Sequence, residues 1–157
     1  MRTKILALCF ALVAPAIPVV VRAQLADSKV LTLAAVRNAI AAAEAEAKSN
    51  GWSVSIAVTD ANGDLLGFHR MDGASIASVQ ISQAKAQTSA RTKRATKDYM
   101  DRIAQGNLST LAMGLMPLEG AVPITVGGVH VGAIGVSGAT SAQDAQCAMK
   151  GAAAVTP

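Results

Sequence analysis

Two tight hairpin patterns most constrain how this chain can fold. Ser53 to Thr59 alternates with a period of two, which predicts a strand with its apolar side chains on one face. Asp60 to Gly63 is turn chemistry, and Asp64 to Arg70 predicts the returning strand. A second pair of apolar stretches is joined by two glycines and predicts another hairpin, with strands Val122–Val126 and Val129–Val136.

Helical patterns surround these hairpins. Three stretches rich in Ala, Glu, Ser and Gln predict helices over Thr32–Asn50, Ser75–Thr92 and Ser141–Ala154, and Arg91–Ile103 either continues the second or forms a short separate helix. Gly106 to Gly120 is loop-like. The order helix, hairpin, helices, hairpin, helix favours an α/β chain of the α+β type, in which helices pack on an antiparallel sheet.

The N-terminal segment predicts export. Arg2 and Lys4 precede an apolar run, Ile5 to Val21, and Val21-Arg22-Ala23 is typical of a secretory cleavage site. The alternative is a transmembrane anchor, but a span needs about 20 apolar residues and two prolines interrupt this run. We therefore expect a signal peptide over 1–23, no membrane insertion after its removal, and one periplasmic or secreted domain over 24–157.

Removal of the signal peptide changes the charge and the cysteine count. The whole chain has 14 basic and 10 acidic residues, and cleavage after Ala23 removes three of the basic ones. The remaining charge is close to neutral, so no nucleic-acid partner is implied. Cys9 is lost with the signal peptide, and Cys147 then has no cysteine with which to form an internal disulfide. Its apolar neighbours indicate a buried small hydrophobe.

Motifs of common enzymes are absent from the sequence, which contains no Walker loop, serine elbow or His-x-x-x-His. The glycines from Gly127 to Gly138 resemble a phosphate loop only superficially, because they fall within a strand pair; they indicate close backbone packing or the approach of a flat ligand. A general base that titrates near neutral pH could come only from the two histidines, which counts against an enzyme.

His69 is the most informative single residue. Strand alternation places it with Leu65 and Gly67, opposite the face of Leu66 and Phe68. That face is either solvent-exposed or a ligand or subunit surface, and a neutral imidazole there could bind iron. The other histidine, His130, follows the glycine turn and is more typical of a turn edge.

Charged residues near the hairpin allow two interpretations. Arg70 and Asp72 could form a structural ion pair after the strand, or Arg70 and Lys85 could line a pocket rim that meets a carboxylate. A basic stretch from Arg91 to Lys97 is either a solvated helix face or a dock for anionic groups such as propionates. Met113 and Met116 pack in the long loop or offer thioether ligands to heme iron.

Several motifs together resemble a known family. Val58-Thr59-Asp60-Ala61-Asn62-Gly63, Gly67-Phe68-His69-Arg70-Met71-Asp72-Gly73-Ala74 and Gly132-Ala133-Ile134-Gly135-Val136-Ser137-Gly138 recur in order, with Lys85-Ala86 and Thr88-Ser89-Ala90 between them and Asp144 after them. They resemble the GlcG/HbpS-like heme-binding family, which includes the C-terminal domain of some corrinoid adenosyltransferases. Ala121 departs from the family's second glycine in its G-G-V-P-I block, and the position of His69 is variable in the family pattern.

The resemblance implies a profilin-like fold, a homo-oligomer, heme as cofactor and, in some exported members, a membrane sensor kinase as partner. The residues in and around these motifs give a candidate heme site formed from His69, Arg70, Met71, Asp72, Lys85, Thr88 and Thr96. The role of His69 as metal ligand follows from its imidazole and not from the resemblance. The leading hypothesis is therefore an exported protein for heme or iron binding, storage or sensing.

Two alternatives come from other classes. One is a small-molecule enzyme in which Arg70, Asp72 and Lys85 surround an organic acid or carbonyl compound. The other is an oligomeric accessory protein that binds no ligand. In the oligomer hypothesis, a face of small and mixed residues makes the subunit contact, and we expect it to comprise Ser53, Ser55, Ala57, Leu65, Gly67 and His69.

Overall fold

The computed structural model describes residues 28–156, so the predicted signal peptide lies outside the described residues. The elements in chain order are α1 (Leu33–Ser49), β1 (Ser55–Asp60), β2 (Leu65–Arg70), α2 (Ile76–Thr92), α3 (Lys97–Ala104), a 3-10 helix (Leu108–Met113), β3 (Ala121–Val126), β4 (Val129–Ser137) and α4 (Ser141–Ala153). This order confirms the predicted succession of helices and hairpins, and most boundaries agree within two residues. The exceptions are α3, a separate helix that begins at Lys97 rather than Arg91, and the 3-10 helix, which lies in the segment predicted to be a loop.

The four strands form one antiparallel sheet with the order β2-β1-β4-β3. Each hairpin contributes one central and one edge strand, and the central strands β1 and β4 pair with each other. The antiparallel α+β class predicted from the two hairpins is therefore confirmed. None of the helices within residues 28–156 is long and apolar enough to cross a membrane.

Helices cover both faces of the sheet. The aliphatic core lies between the sheet and the α1–α4 pair, where Val54, Ile56 and Val58 from the first hairpin meet Val36, Ala39, Ala43 and Ala47 of α1. Ala39 rather than Ile40 completes the buried stripe of α1, which leaves Ile40 half-buried at the edge of the helix. At this edge Ile40 borders a surface groove.

Helix α2 covers the opposite face at unusually short range. Gly135 leaves room for the helix backbone, since a Cβ at this position would lie 2.5 Å from Ala86 N. Ser55 Oγ and Ser78 Oγ are hydrogen-bonded at 2.8 Å across the same interface. The glycines after the second turn therefore serve close packing. Ser55 and Ala57 are fully buried beneath α2, so the prediction that they form a subunit contact is wrong.

The helices begin at residues that cap their first turns. The side chains of Thr32 and Ser75 accept hydrogen bonds from Ala35 N and Ser78 N at the starts of α1 and α2. For α4 the cap is Thr140, in a reciprocal capping box with Gln143. Helix α2 ends at Lys93 in the left-handed conformation (φ 55°), which separates it from α3.

Candidate functional site

A groove runs between α1 and the edge strand β2, and we call it the α1–β2 groove. Its walls form two adjoining cavities of about 270 and 350 Å³ that share Glu44 and His69. The first is also lined by Arg37, Ile40, Ala41 and Phe68, and the second by Lys48, Arg70, Met71 and Asp72. The helix positions 37, 40, 41, 44 and 48 recur every three or four residues, so they project from one face of α1.

The pairing of β1 with β2 determines that His69 faces this groove. His69 pairs with Ile56 and Gly67 pairs with Val58, and directly opposed residues share a face, so both lie on the α1 side. A register shift follows, because Thr59 pairs with Leu65. Leu65 therefore lies on the α2 side, and the prediction that it shares a face with Gly67 and His69 is wrong.

Gly67 lets α1 approach the strand. A Cβ at Gly67 would lie 2.5 Å from Val36 Cγ1 and 3.1 Å from Ile40 Cδ1. Side chains of the helix therefore fill the space beside the strand backbone at Gly67. The consequence is a short distance between α1 and β2, which brings the side chain of Glu44 to His69.

Glu44 holds the imidazole in a defined orientation. Its Oε2 lies 2.8 Å from His69 Nδ1, and its Oε1 is ion-paired with Lys48. The hydrogen bond from Lys48 lowers the pKa of Glu44 below its usual value, and His69 acts in the same direction, against the effect of burial. An ionised carboxylate only accepts, so His69 Nδ1 donates, and in the neutral ring Nε2 carries the lone pair.

The three residues that follow His69 also lie in this groove. Arg70 donates from Nε (3.1 Å) and Nη2 (2.7 Å) to the carbonyl of Ala74, and so braces the loop before α2. Within residues 28–156 it forms no ion pair with Asp72, which is exposed, so the predicted ion pair is wrong. Met71 is half-buried against the core and forms part of the groove wall.

Lys85 lies elsewhere, and its predicted position at a pocket rim is wrong. Its Nζ donates to Asp144 Oδ2 at 2.8 Å and to the carbonyl of Val136 at 3.1 Å, with 2 % of the side chain exposed. Asp144 Oδ1 accepts from Ala139 N, so the pair ties α2, β4 and α4 together. Desolvation raises the pKa of Asp144, although Lys85 opposes that shift. The arrangement is structural, and Arg70, Asp72 and Lys85 do not surround a common substrate site.

Thr88 and Thr96 fasten the loop before β3. Thr88 Oγ1 accepts from Met116 N at 2.9 Å, and Thr96 Oγ1 accepts from Ala121 N at 3.0 Å. Both threonines are buried, so neither hydroxyl reaches the α1–β2 groove. Of the seven residues predicted for the heme site, the structure therefore brings together His69, Arg70, Met71 and Asp72, and places the other three in the packing around α2.

His130 is not available as a ligand. Its Nε2 faces the carbonyl of Ala90 at 3.0 Å, and its Nδ1 is buried with no hydrogen-bond partner in the described part of the chain, residues 28–156. Desolvation lowers the pKa of His130 and keeps the ring neutral. It borders a larger cavity of about 530 Å³ at the end of the sheet, but neither ring nitrogen is free to enter that space.

Other candidate residues have structural surroundings. Arg94 and Lys97 pair with Asp98 and Asp101 one helical turn away, which supports the solvated-face interpretation of the basic stretch. Met113 is exposed on the 3-10 helix. Cys147 is fully buried, and desolvation raises the pKa of its thiol to about 11. The prediction of a buried cysteine is confirmed.

Sequence reasoning missed the α1 side of the groove. Glu44 and Lys48 stand four residues apart, a spacing that predicts a helical ion pair, and Arg37 lies on the same face. Nothing in the sequence says which strand faces that side of the helix. That depends on the β1–β2 register and on the packing of α1 against Gly67.

Comparison with known proteins agrees with this fold. A family model described as "Haem degrading protein HbpS-like" matches residues 31–153. The protein GlcG of Escherichia coli K12 is 47 % identical over 99 residues, which cover 62 % of this chain and 74 % of GlcG. The chain belongs to the HbpS-like family.

Solved structures of this family have the same fold. A double mutant of Streptomyces reticuli HbpS is 37 % identical, with a TM-score of 0.76 over 89 % of this chain and 97 % of that chain. The PduOC–heme complex is 25 % identical, with a TM-score of 0.74 over 81 % and 96 %. The family resemblance found in the sequence motifs is therefore confirmed, together with its fold.

Proposed function

We propose that this HbpS-like protein binds heme in the α1–β2 groove and that His69 Nε2 is the axial ligand of the iron. One observation carries the proposal: His69 is held at Nδ1 by a carboxylate 2.8 Å away, and none of residues 28–156 forms a hydrogen bond to its Nε2 at the surface of the groove. Histidine that ligates a metal commonly donates its other ring N–H to such a partner. Membership of the HbpS-like family and the heme complex of the structural neighbour PduOC support heme as the ligand.

The groove residues fit the chemistry of heme. An imidazole is a common axial ligand for heme iron. The side chains of Ile40, Phe68 and Met71 offer apolar surface, and Arg37 and Lys48 stand on either side of Glu44 along the helix, where cations suit two propionates. Heme would supply a redox-active iron centre. The residues of this chain would bind and orient it.

Heme binding by this groove is tested by titrating hemin into protein that begins at Gln24. We expect a Soret band in the parent protein and its loss or shift in His69→Ala, together with weaker hemin binding. The side chain of His69 is 56 % exposed, so this substitution should leave thermal unfolding nearly unchanged. His130→Ala and Met116→Ala serve as controls for the other candidate ligands.

The control variants decide between sites. A His69→Ala spectrum and affinity equal to those of the parent would eliminate His69 as the ligand. Loss of the band in His130→Ala or Met116→Ala alone would move the site to the other side of the sheet. A Soret band in the parent that stays identical to that of free hemin at every hemin concentration would refute heme binding by this chain.

We further propose that the protein acts outside the cytoplasm, as a heme carrier, store or sensor, and that it is a homo-oligomer. The segment from Arg2 to Ala23 supports export. A membrane sensor kinase is the partner that the family resemblance suggests. Mass spectrometry of the exported chain should show an N-terminus near Gln24, and light scattering at micromolar concentration should give a multiple of the chain mass. An intact N-terminus would refute export, and a monomer with and without hemin would refute assembly.

A further inference from the structure

We infer that Glu44 is the positioning residue of this site: it fixes the tautomer of His69 so that Nε2 faces the groove as the donor atom. The inference deepens the proposed function and rests on it. It assigns to one carboxylate of α1 a role that the motifs quoted in the sequence do not indicate, because Glu44 lies outside them.

The first support is that the two oxygens of the Glu44 carboxylate have different partners. Oε2 is used by His69 and Oε1 by Lys48, so each oxygen has one charged or polar partner. The Glu44 side chain is only 18 % exposed, whereas the Lys48 and His69 side chains are 64 % and 56 % exposed, so both partners reach the carboxylate from the surface. A carboxylate can only accept a hydrogen bond, so the 2.8 Å contact between Oε2 and His69 Nδ1 makes the ring nitrogen the donor.

The second support is the chemistry of the ring. A neutral imidazole can carry its proton on either nitrogen, and only the unprotonated nitrogen can bind a metal. With Glu44 accepting from Nδ1, the proton is held on the helix side and the lone pair is left on Nε2. A carboxylate partner of this kind also raises the basicity of the ligating nitrogen.

Lys48 has a defined place in the arrangement. It is the exposed member of the Glu44–Lys48 ion pair, one helical turn from Glu44. Its removal leaves the carboxylate with His69 as its remaining partner. Lys48→Met should therefore preserve the Nδ1–H tautomer, whereas Glu44→Gln, whose amide can present either an oxygen or an N–H group to the ring, should not.

The experiment first uses the heme-free protein. Nitrogen-15 NMR of His69, recorded above the pH range in which imidazole titrates, reports which ring nitrogen carries the proton. We expect the Nδ1–H form in the parent and in Lys48→Met, and a mixture of tautomers in Glu44→Gln. Glu46→Gln is the matched control, since it removes the same charge from the same helix, where Glu46 contacts Gln146 rather than His69.

Hemin titration of the same variants supplies the second readout. We expect Glu44→Gln to weaken hemin binding by about 10- to 100-fold, the usual effect of removing the partner of a metal-ligating histidine. Glu46→Gln should bind as the parent does. Thermal unfolding of both variants shows whether the helix has kept its packing.

The outcomes separate the two proposals. If His69→Ala loses hemin while Glu44→Gln keeps the parental tautomer and affinity, the positioning role is refuted and the proposed function stands. If His69→Ala binds hemin as the parent does, the proposed function falls, and the role of Glu44 toward heme falls with it, whatever the tautomer. Equal losses of affinity in Glu44→Gln and Glu46→Gln would show a general charge effect and also refute the positioning role.

Discussion

The buried pair of Lys85 and Asp144 gives the sharpest stability prediction. Lys85→Met keeps the length of the side chain but removes its charge, and it orphans two acceptors, Asp144 Oδ2 and the carbonyl of Val136. Each buried acceptor left without a partner costs about 1–3 kcal/mol, and more when it is charged. We expect Lys85→Met to lower the free energy of unfolding by about 3–5 kcal/mol at neutral pH, the range measured when one partner of a buried ion pair is removed.

The pH dependence of this loss has a definite sign. Desolvation raises the pKa of Asp144 in the folded protein. The stability that this shift contributes is therefore fully present below the unfolded-state pKa of about 3.9, and it is lost as the pH rises through the folded-state pKa. Lys85 opposes the increase in the pKa of Asp144. Its removal therefore raises this pKa further and extends upward the pH range in which Asp144 stays protonated in the folded protein. The destabilisation of Lys85→Met should therefore be smaller in acid than at neutral pH.

Urea unfolding of the parent and four variants tests this reasoning. Asp144→Asn should also be strongly destabilised, because it leaves the amine buried without its anion. The double variant Lys85→Met with Asp144→Asn should be more stable than the sum of the two losses implies, with a coupling of about 0.5–3 kcal/mol. Lys150→Met, at an exposed position of α4, is the control, with a change within about 0.5 kcal/mol. Additive losses, or a Lys85→Met midpoint equal to that of the parent, would show that amine and carboxylate do not meet in the folded protein.

Three further predictions concern packing and the loop before β3. In urea unfolding, Gly135→Ala should lower the free energy of unfolding by about 1–3 kcal/mol, because its Cβ meets the backbone of α2 at Ala86. Gly67→Ala should lower it less, because its Cβ meets side chains rather than backbone. Equal losses of stability in the two variants would contradict this difference in packing. Thr96→Val removes the acceptor of the buried Ala121 N–H, so it should lower the free energy of unfolding by about 1–3 kcal/mol and speed proteolysis of residues 106–118. An unchanged rate of cleavage would show that this hydrogen bond does not hold the loop before β3. Cys147, with a pKa of about 11, should not react with a thiol reagent in the folded protein and should react fully in guanidinium; rapid native reaction would refute its burial.

The fold follows from local sequence signals to an unusual degree. Both hairpins and the caps Thr32 and Ser75 have local signals that agree with the observed elements. The division of α2 from α3 had only a weak signal, since Lys93 ends the helix in the left-handed conformation without a glycine. What local patterns do not encode is which face of the sheet each helix covers. For that reason Ser55 and Ala57 looked like a free surface, although α2 buries both.

The candidate site was predictable only in part, for a related reason. His69, Arg70, Met71 and Asp72 are consecutive in the chain, so a single motif brings them to one groove. Lys85 was selected for its charge and its motif, but its partner is 59 residues away along the chain, and no local pattern shows whether a lysine is buried. Alone, a charged residue in a motif does not distinguish a ligand contact from an internal ion pair.

The β1–β2 hairpin links the fold to the proposed site. Strand alternation alone puts Leu65, Gly67 and His69 on one face, and that pattern would give a continuous exposed stripe. The register shift at Thr59 breaks the stripe, sends Leu65 to the α2 side and leaves Gly67 and His69 on the α1 side. Because Gly67 has no side chain, α1 packs close to β2, and the helix then brings Glu44 within hydrogen-bonding distance of His69. The surface groove, the orientation of its histidine and the carboxylate behind it thus have one common origin in a bulged strand with a glycine at its centre.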